Sequence, residues 1–157
     1  MKNTILILLI TFLFSSYSYA FEGQVILIAD GDTITVVHDG KPEKIRLYGI
    51  DTPESKQAFG NQAKNFTYAM VYHKSVNVEP VTTDRYGRTV GIVHVDGNSL
   101  SEELVKSGFA WVYDRYCKKD MCVKWQQLEE AAKQSKIGLW SQDDPVAPWV
   151  YRRKGNK

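Results

Sequence analysis

From Gln24 onward the apolar positions fall into short runs rich in β-branched residues, parted by turn formers. "QVILIA" (Gln24 to Ala29) and "TITVVH" (Thr33 to His38) flank Asp30, Gly31 and Asp32. "KIRLYGI" (Lys44 to Ile50) follows "HDGKPE", in which Asp39 and Gly40 are a strong hairpin signal. Three strands joined by short turns make a meander. The period then changes, because Ala63, Phe66, Ala69 and Met70 stand at i, i+3, i+6 and i+7, one face of a helix. Strand chemistry returns in "SVNVEPV" and "TVGIVHV", separated by the polar turn "TTDRYGR", whose Gly87 can take a positive φ. Ser99 and Glu102 form an S-x-x-E capping box that opens a short helix with Leu104 and Val105 inward. Trp125, Leu128, Ala131 and Ala132 mark a longer helix, with Gly138 as its stop. The pattern predicts an α+β fold, a five-stranded OB-type β-barrel with about three helices packed on it.

Both ends depart from this pattern. Residues 1–20 run from Met1 and Lys2 through the apolar stretch Ile5 to Phe14 to the small residues Ser18 and Ala20, the layout of a secretory signal peptide cleaved near Ala20. The apolar stretch is short for a bilayer span, which takes about 20 residues. Residues 21–143 are expected to form one domain, large enough for a compact core without staples. Residues 144–157 read as a basic tail, in which "YRRKGNK" carries no apolar period and is expected to fray.

Charge and cysteine content narrow the picture further. Loss of Lys2 with the leader lowers the formal net charge from +2 to +1. A polyanion must therefore be held by a local cluster of arginines and lysines, not by the field of the whole molecule. Cys117 and Cys122, in "CKKDMC", are the only cysteines. An exported chain meets oxidising conditions, and a lone close pair there is expected to form a disulfide. The alternative, a zinc site, has no further His or Cys pair nearby to complete it. The expected location is secreted or periplasmic, with no membrane attachment after cleavage, no stable protein partner and a monomeric state.

The candidate chemistry lies in the meander. If its second and third strands run antiparallel, Asp32 at the start of one can meet Asp51 at the end of the other. Two such carboxylates make a hard-cation site of oxygen ligands. Taken alone, Asp30 and Asp32 read first as turn residues, and it is convergence with Asp51 that favours the cation site. Arg46, inside the third run, needs an anion; a salt bridge to Asp51 or Glu54 is one answer and a phosphate gripped by the planar fork is the other. Arg88, at the mouth of the later turn, offers a second grip.

"DGDT", "IRLYGIDTPE" and "TDRYGRTVGIV", in this order and spacing, resemble the thermonuclease family, the secreted staphylococcal-nuclease-like phosphodiesterases. The resemblance runs from Gly23 to Trp140 and includes the closing "IGLW". It implies a calcium ion bound by Asp32 and Asp51 with the backbone carbonyl of Thr52, a phosphate held by Arg46 and Arg88, and an attacking water activated or positioned by Glu54. The implied function is calcium-dependent hydrolysis of DNA and RNA with little sequence preference, leaving 3'-phosphates. Arg85, Tyr86 and Tyr113 are candidates for substrate binding. Tyr86 could stack on a base or pack as a turn aromatic, and Tyr113 competes with Trp111 and Tyr116 for its role. Two features depart from the family's best-known member. The loop "SKQAFGNQ" after Glu54 is shorter, and the cysteine pair is absent there.

Two rival classes remain at this stage. One is a non-cutting OB module that grips single strands, which has no use for Asp32, Asp51 and Glu54 facing a polyanion. The other is a calcium-stabilised structural protein, which has no use for Arg46 and Arg88.

Overall fold

The computed structural model describes residues 19–155. The signal-peptide expectation for residues 1–20 falls almost wholly outside them. Among the described residues no helix is long and apolar enough to cross a membrane.

Strands β1 (Phe21–Asp30), β2 (Thr33–His38) and β3 (Lys41–Leu47) form the meander, followed by the two-residue strand β4 (Ile50–Asp51) and helix α1 (Gly60–Val71). Strands β5 (Ser75–Thr83), β6 (Thr89–Val95) and β7 (Asn98–Ser99) lead into α2 (Leu100–Lys106), β8 (Trp111–Val112) and α3 (Met121–Gln134). A 3-10 turn (Gly138–Ser141) and α4 (Pro148–Gly155) complete the described chain.

The sheet order β3-β2-β1-β5-β6 closes on itself because β3 also pairs with β6, in parallel, with Arg46 opposite Val90. The result is the five-stranded barrel that the pattern predicts. Its interior is filled by β-branched side chains such as Val25, Ile34, Val36, Ile45, Val78 and Ile92, each at most 1% exposed. Inward and outward residues alternate along the strands, so burying one face fixes the register. Asp39 and Gly40 take positive φ between the paired residues His38 and Lys41, so the hairpin forms where the sequence signals it.

The helices cover one side. On α1 the buried residues are Ala63, Thr67 and Val71, with Phe66 and Met70 packed beside them, whereas Ala69 faces water. Ala131 of α3 is exposed too; Cys122, Trp125 and Ala132 are that helix's buried residues. Ser99 caps α2 by accepting from the Glu102 N–H at 3.4 Å. The Glu102 carboxylate turns to α3, where it accepts from Trp125 Nε1 at 3.2 Å and Lys124 Nζ at 2.6 Å. Cys117 and Cys122 are joined as a disulfide.

Two expectations need correction. "KIRLYGI" is not one strand: the chain leaves β3 at Leu47 and restarts as β4, which pairs with β8 rather than continuing the barrel. The cause is Gly49, whose φ of +74° bends the backbone. A side chain there would also meet Cys117 Sγ at 2.6 Å and Trp125 Cζ3 at 3.0 Å. Gly49→Ala is expected to lower the melting temperature by roughly 5 °C or more, since it combines backbone strain with a core clash. Thermal denaturation followed by circular dichroism measures this, and an unchanged midpoint would remove Gly49 from the account. The second correction concerns the tail. Pro148–Gly155 is helical, raising the count of α-helices among the described residues to four. Pro148 stands at its first position, where the missing N–H costs nothing.

Candidate active site

The bend at Gly49 has a direct chemical consequence. It carries Asp51 back toward Arg46, five residues earlier in the chain, while the β2–β3 pairing sets Thr33 opposite Arg46 and so brings Asp32 alongside. Arg46 Nη2 lies 2.8 Å from Asp51 Oδ1 and also donates to the Ile50 carbonyl at 3.2 Å. Its Nη1 is paired with Asp32 Oδ1. One guanidinium is thus bracketed by two carboxylates that are almost wholly buried.

Thr52 completes the link between the two acids. Its backbone N–H and hydroxyl donate to Asp32 Oδ2 at 2.7 and 2.9 Å. On the other side, Asp30 Oδ1 accepts from the Asp32 N–H at 3.1 Å. Gly31, between these two acids, has no room for a Cβ, which would lie 2.9 Å from both Ala63 Cβ and Thr52 Oγ1. Thr67 of α1 bonds the Gly31 carbonyl at 2.6 Å, so the helix clamps the turn that carries the acids.

The electrostatics follow from burial and charge together. Burial acts against ionised Asp32, but Arg46 and the Thr52 N–H outweigh it and hold the carboxyl below its ordinary value. Asp30 moves the other way, pushed up to about 7 by burial first and by the neighbouring charge of Asp32 second. Asp51 is also raised, chiefly by burial, with its bonds to Arg152 acting in the opposite sense. Arg46 is held protonated by Asp32 and Asp51 despite its burial.

Glu54 sits on the loop between β4 and α1. Its backbone N–H donates to Gln57 Oε1 at 3.1 Å, and its carbonyl accepts from the Gln57 N–H at 2.8 Å. The same loop closes tightly on α1, where a Cβ on Gly60 would fall 2.0 Å from the Glu54 carbonyl oxygen. The Glu54 carboxylate meets Arg152 Nη1 at 2.7 Å.

A profile of the family described as Staphylococcal nuclease homologue matches residues 44–142, well over half of the chain. The chain belongs to that family. Among its relatives, the "Uncharacterized endonuclease" of Escherichia coli O157:H7 is 40% identical over 134 residues, covering 85% of this chain and 86% of the relative. "Protein ParB" of Escherichia coli is 38% identical over 144 residues, 86% of this chain and 81% of its own length. The "Micrococcal nuclease" of Shigella flexneri is 35% identical over 142 residues, with 85% and 81% covered.

The structure of this staphylococcal-nuclease homologue gathers Asp32, Arg46, Asp51, Thr52 and Glu54 into one cluster. Arg88 stands apart from it. Among the described residues no ion pair or hydrogen bond links it to those acids; its Nε bonds Asp84 Oδ2 at 2.6 Å. Asp84 also accepts from the backbone N–H groups of Tyr86 and Arg88, which fixes the turn. Arg88 does lie just before β6, whose Val90 pairs with Arg46, so the turn borders the cluster. Tyr86 is 67% exposed, with Arg85 Nη2 on its hydroxyl at 2.6 Å and both Arg85 and Arg88 over its ring. It is a solvent-facing aromatic flanked by cations, not one packed on the barrel. Tyr113 is stacked on Trp149, 4.6 Å between ring centres and 7° between planes.

The donors brought together here are carboxylate oxygens, those of Asp32 and Asp51, with Thr52 bonded to Asp32 through its N–H and hydroxyl. Among the described residues no group of three or more His, Cys, Asp or Glu side chains forms a cluster that could hold a metal alone. A hard cation here would therefore take part of its shell from water, as calcium commonly does. Two guanidinium groups, Arg46 and Arg152, already converge on Asp51. The carboxylates thus attract positive charge, and their oxygens are the donor type that a hard cation takes.

Arg152 was not among the residues singled out in the sequence. Its Nη2 lies 2.7 Å from Asp51 Oδ2 and its Nη1 3.2 Å from Asp51 Oδ1. A local sequence signal is the proline opening "PWVYRRK", a helix start in a stretch otherwise read as tail.

Proposed function

We propose that this chain is an exported, calcium-dependent nuclease that cuts DNA and RNA with little sequence preference and leaves 3'-phosphates. Its family makes it a phosphodiesterase of the nuclease class, acting on nucleic acid. The observation that carries the finer reading is the Arg46 guanidinium held between two buried carboxylates, with Glu54 tied into the same cluster.

A phosphodiester is an anion that repels a nucleophile until its charge is neutralised. Arg46 supplies an always protonated guanidinium, positioned by Asp32 and Asp51, whose charge would offset that of the phosphate. Arg88 adds a second positive group from the neighbouring turn, its planar head aligned by Asp84. Glu54 is the carboxylate that would accept a proton from the attacking water or position it. Asp32, Asp51 and the Thr52 carbonyl would hold calcium, which when bound adds Lewis-acid neutralisation of the phosphate charge. Tyr86 and Arg85 offer a stacking face and a backbone contact that ignore base identity, in keeping with low specificity. Export with cleavage near Ala20, a monomeric state and the absence of a protein partner belong to the same proposal.

Purified protein incubated with plasmid DNA and with RNA is expected to degrade both in calcium and neither in excess chelator. Cutting that survives the chelator would remove the cation assignment. Retained binding with no cutting under any condition would favour a non-cutting OB module.

A further inference from the structure

The C-terminal helix covers the cluster with side chains that resemble the expected ligands in chemistry. Arg152 forks onto Asp51 and reaches Glu54 Oε1 at 2.7 Å. Trp149 lies flat on Tyr113, covering a face on which a base could stack. Three contacts anchor this strap. Gln57 Nε2 donates to the Val146 carbonyl at 2.5 Å, the same Gln57 that receives the Glu54 N–H. Tyr151 donates to the Lys56 carbonyl at 3.3 Å, and Trp149 also meets Trp111 edge to face at 5.7 Å.

A guanidinium in this position engages the carboxylate oxygens of Asp51 that would coordinate a cation. It also holds the Glu54 oxygen that would take a proton from water. We propose that Arg152 is the resident counter-cation of the nuclease site, keeping Asp51 and Glu54 paired until a divalent ion takes its place, so that α4 sets the calcium concentration at which the site loads. This rests on the calcium reading above.

The two partners differ in what they can do. The Asp51 side chain is 1% exposed and cannot leave the cluster, whereas that of Arg152 is 42% exposed. Its long stem lets the charged head swing into water and stay hydrated. Asp51 is not left as an unpaired buried charge when this happens, because Arg46 remains at 2.8 Å. The apparent affinity for calcium is then reduced by the fraction of time that Arg152 is in place.

Calorimetric titration of calcium chloride into the purified chain tests this, with wild type, Arg152→Ala, Arg152→Lys and Asp51→Asn compared. Arg152→Ala is expected to bind calcium about tenfold more tightly than wild type. Arg152→Lys should fall between, because an ammonium lacks the fork that grips two oxygens at once. Asp51→Asn should lose most binding. Binding detectable only in Arg152→Ala would be the extreme form of the expected result. Equal or weaker affinity in a folded Arg152→Ala, with wild type still binding, overturns the proposal and leaves the calcium reading standing. Absence of binding in every folded variant overturns both. Should Arg152→Ala not fold, Arg152→Lys carries the comparison, and an affinity unchanged from wild type overturns the proposal.

Discussion

Glu54→Gln is expected to lower the turnover number by about 10²- to 10⁴-fold, the range of a lost general base, while nucleotide binding survives. The substitution keeps the shape of the side chain and removes its ability to accept a proton. Glu54 is suited to this test because its loop is positioned by backbone groups. The bonds through Gln57 and the close approach of Gly60 do not involve the carboxylate. The variant should therefore fold with the loop in place. One change is built in, since the carboxylate that Arg152 grips becomes a neutral amide. A weaker hold on Arg152 would ease cation loading, so it cannot account for a loss of rate. Single-turnover cleavage beside the dissociation constant of a non-hydrolysable dinucleotide separates the two effects. Loss confined to kcat assigns Glu54 to the chemical step, whereas near-normal turnover would leave the water without its proposed acceptor.

The meander was legible because its signals are local. Asp39 and Gly40 sit at the hairpin, alternation fixes which face of each strand is buried, and an arginine inside a strand demands an anion. The end of β3 was not legible. An apolar run continues through Tyr48 to Ile50, and only the left-handed turn at Gly49 shows that the strand stops. That turn matters more than its length suggests, for it brings Asp51 against Arg46. Ala69 and Ala131 misled for a different reason: alanine fits either face of a helix, so its place in a periodic pattern carries little information.

The deepest miss was Arg152, whose partners lie 101 and 98 residues away in the chain. Charge bookkeeping points in its direction. Asp30, Asp32 and Asp51 together surround a single arginine of the barrel, an imbalance that a buried cluster does not tolerate without protonation or a further cation. The raised value of Asp30 is the first of these remedies and Arg152 is the second. A basic segment opened by a proline and carrying Trp149 three residues before a double arginine was thus a candidate for docking, though nothing in its own sequence names the surface it covers.

Arg46→Ala carries the other large effect, and on two observables at once. Its Nη groups are shared between Asp32 and Asp51, so removal leaves both carboxylates buried, with Arg152 on one of them. Breaking a buried pair from one side costs about 3–5 kcal/mol, and loss of a preorganised phosphate donor lowers kcat by about 10²-fold or more. The pH dependence of the stability loss has a definite sign. Arg46 helps to hold Asp32 below the ordinary 3.8, so this stabilisation is full above that value and fades as pH falls through the depressed one. The gap between wild type and Arg46→Ala should be widest near neutrality and narrow below pH 3.8, where protonation relieves the acids that the variant leaves exposed to each other. Arg46→Lys separates the two roles. It keeps one positive charge in the cluster but cannot bridge both acids with a planar fork to hold that charge in place, so it should recover more stability than activity. Urea denaturation at neutral and acid pH, run beside cleavage assays of both variants, reads all of this. A stability loss equally large at every pH would mean that Arg46 supports the fold by packing alone, and the charge-clamp role would fall with it.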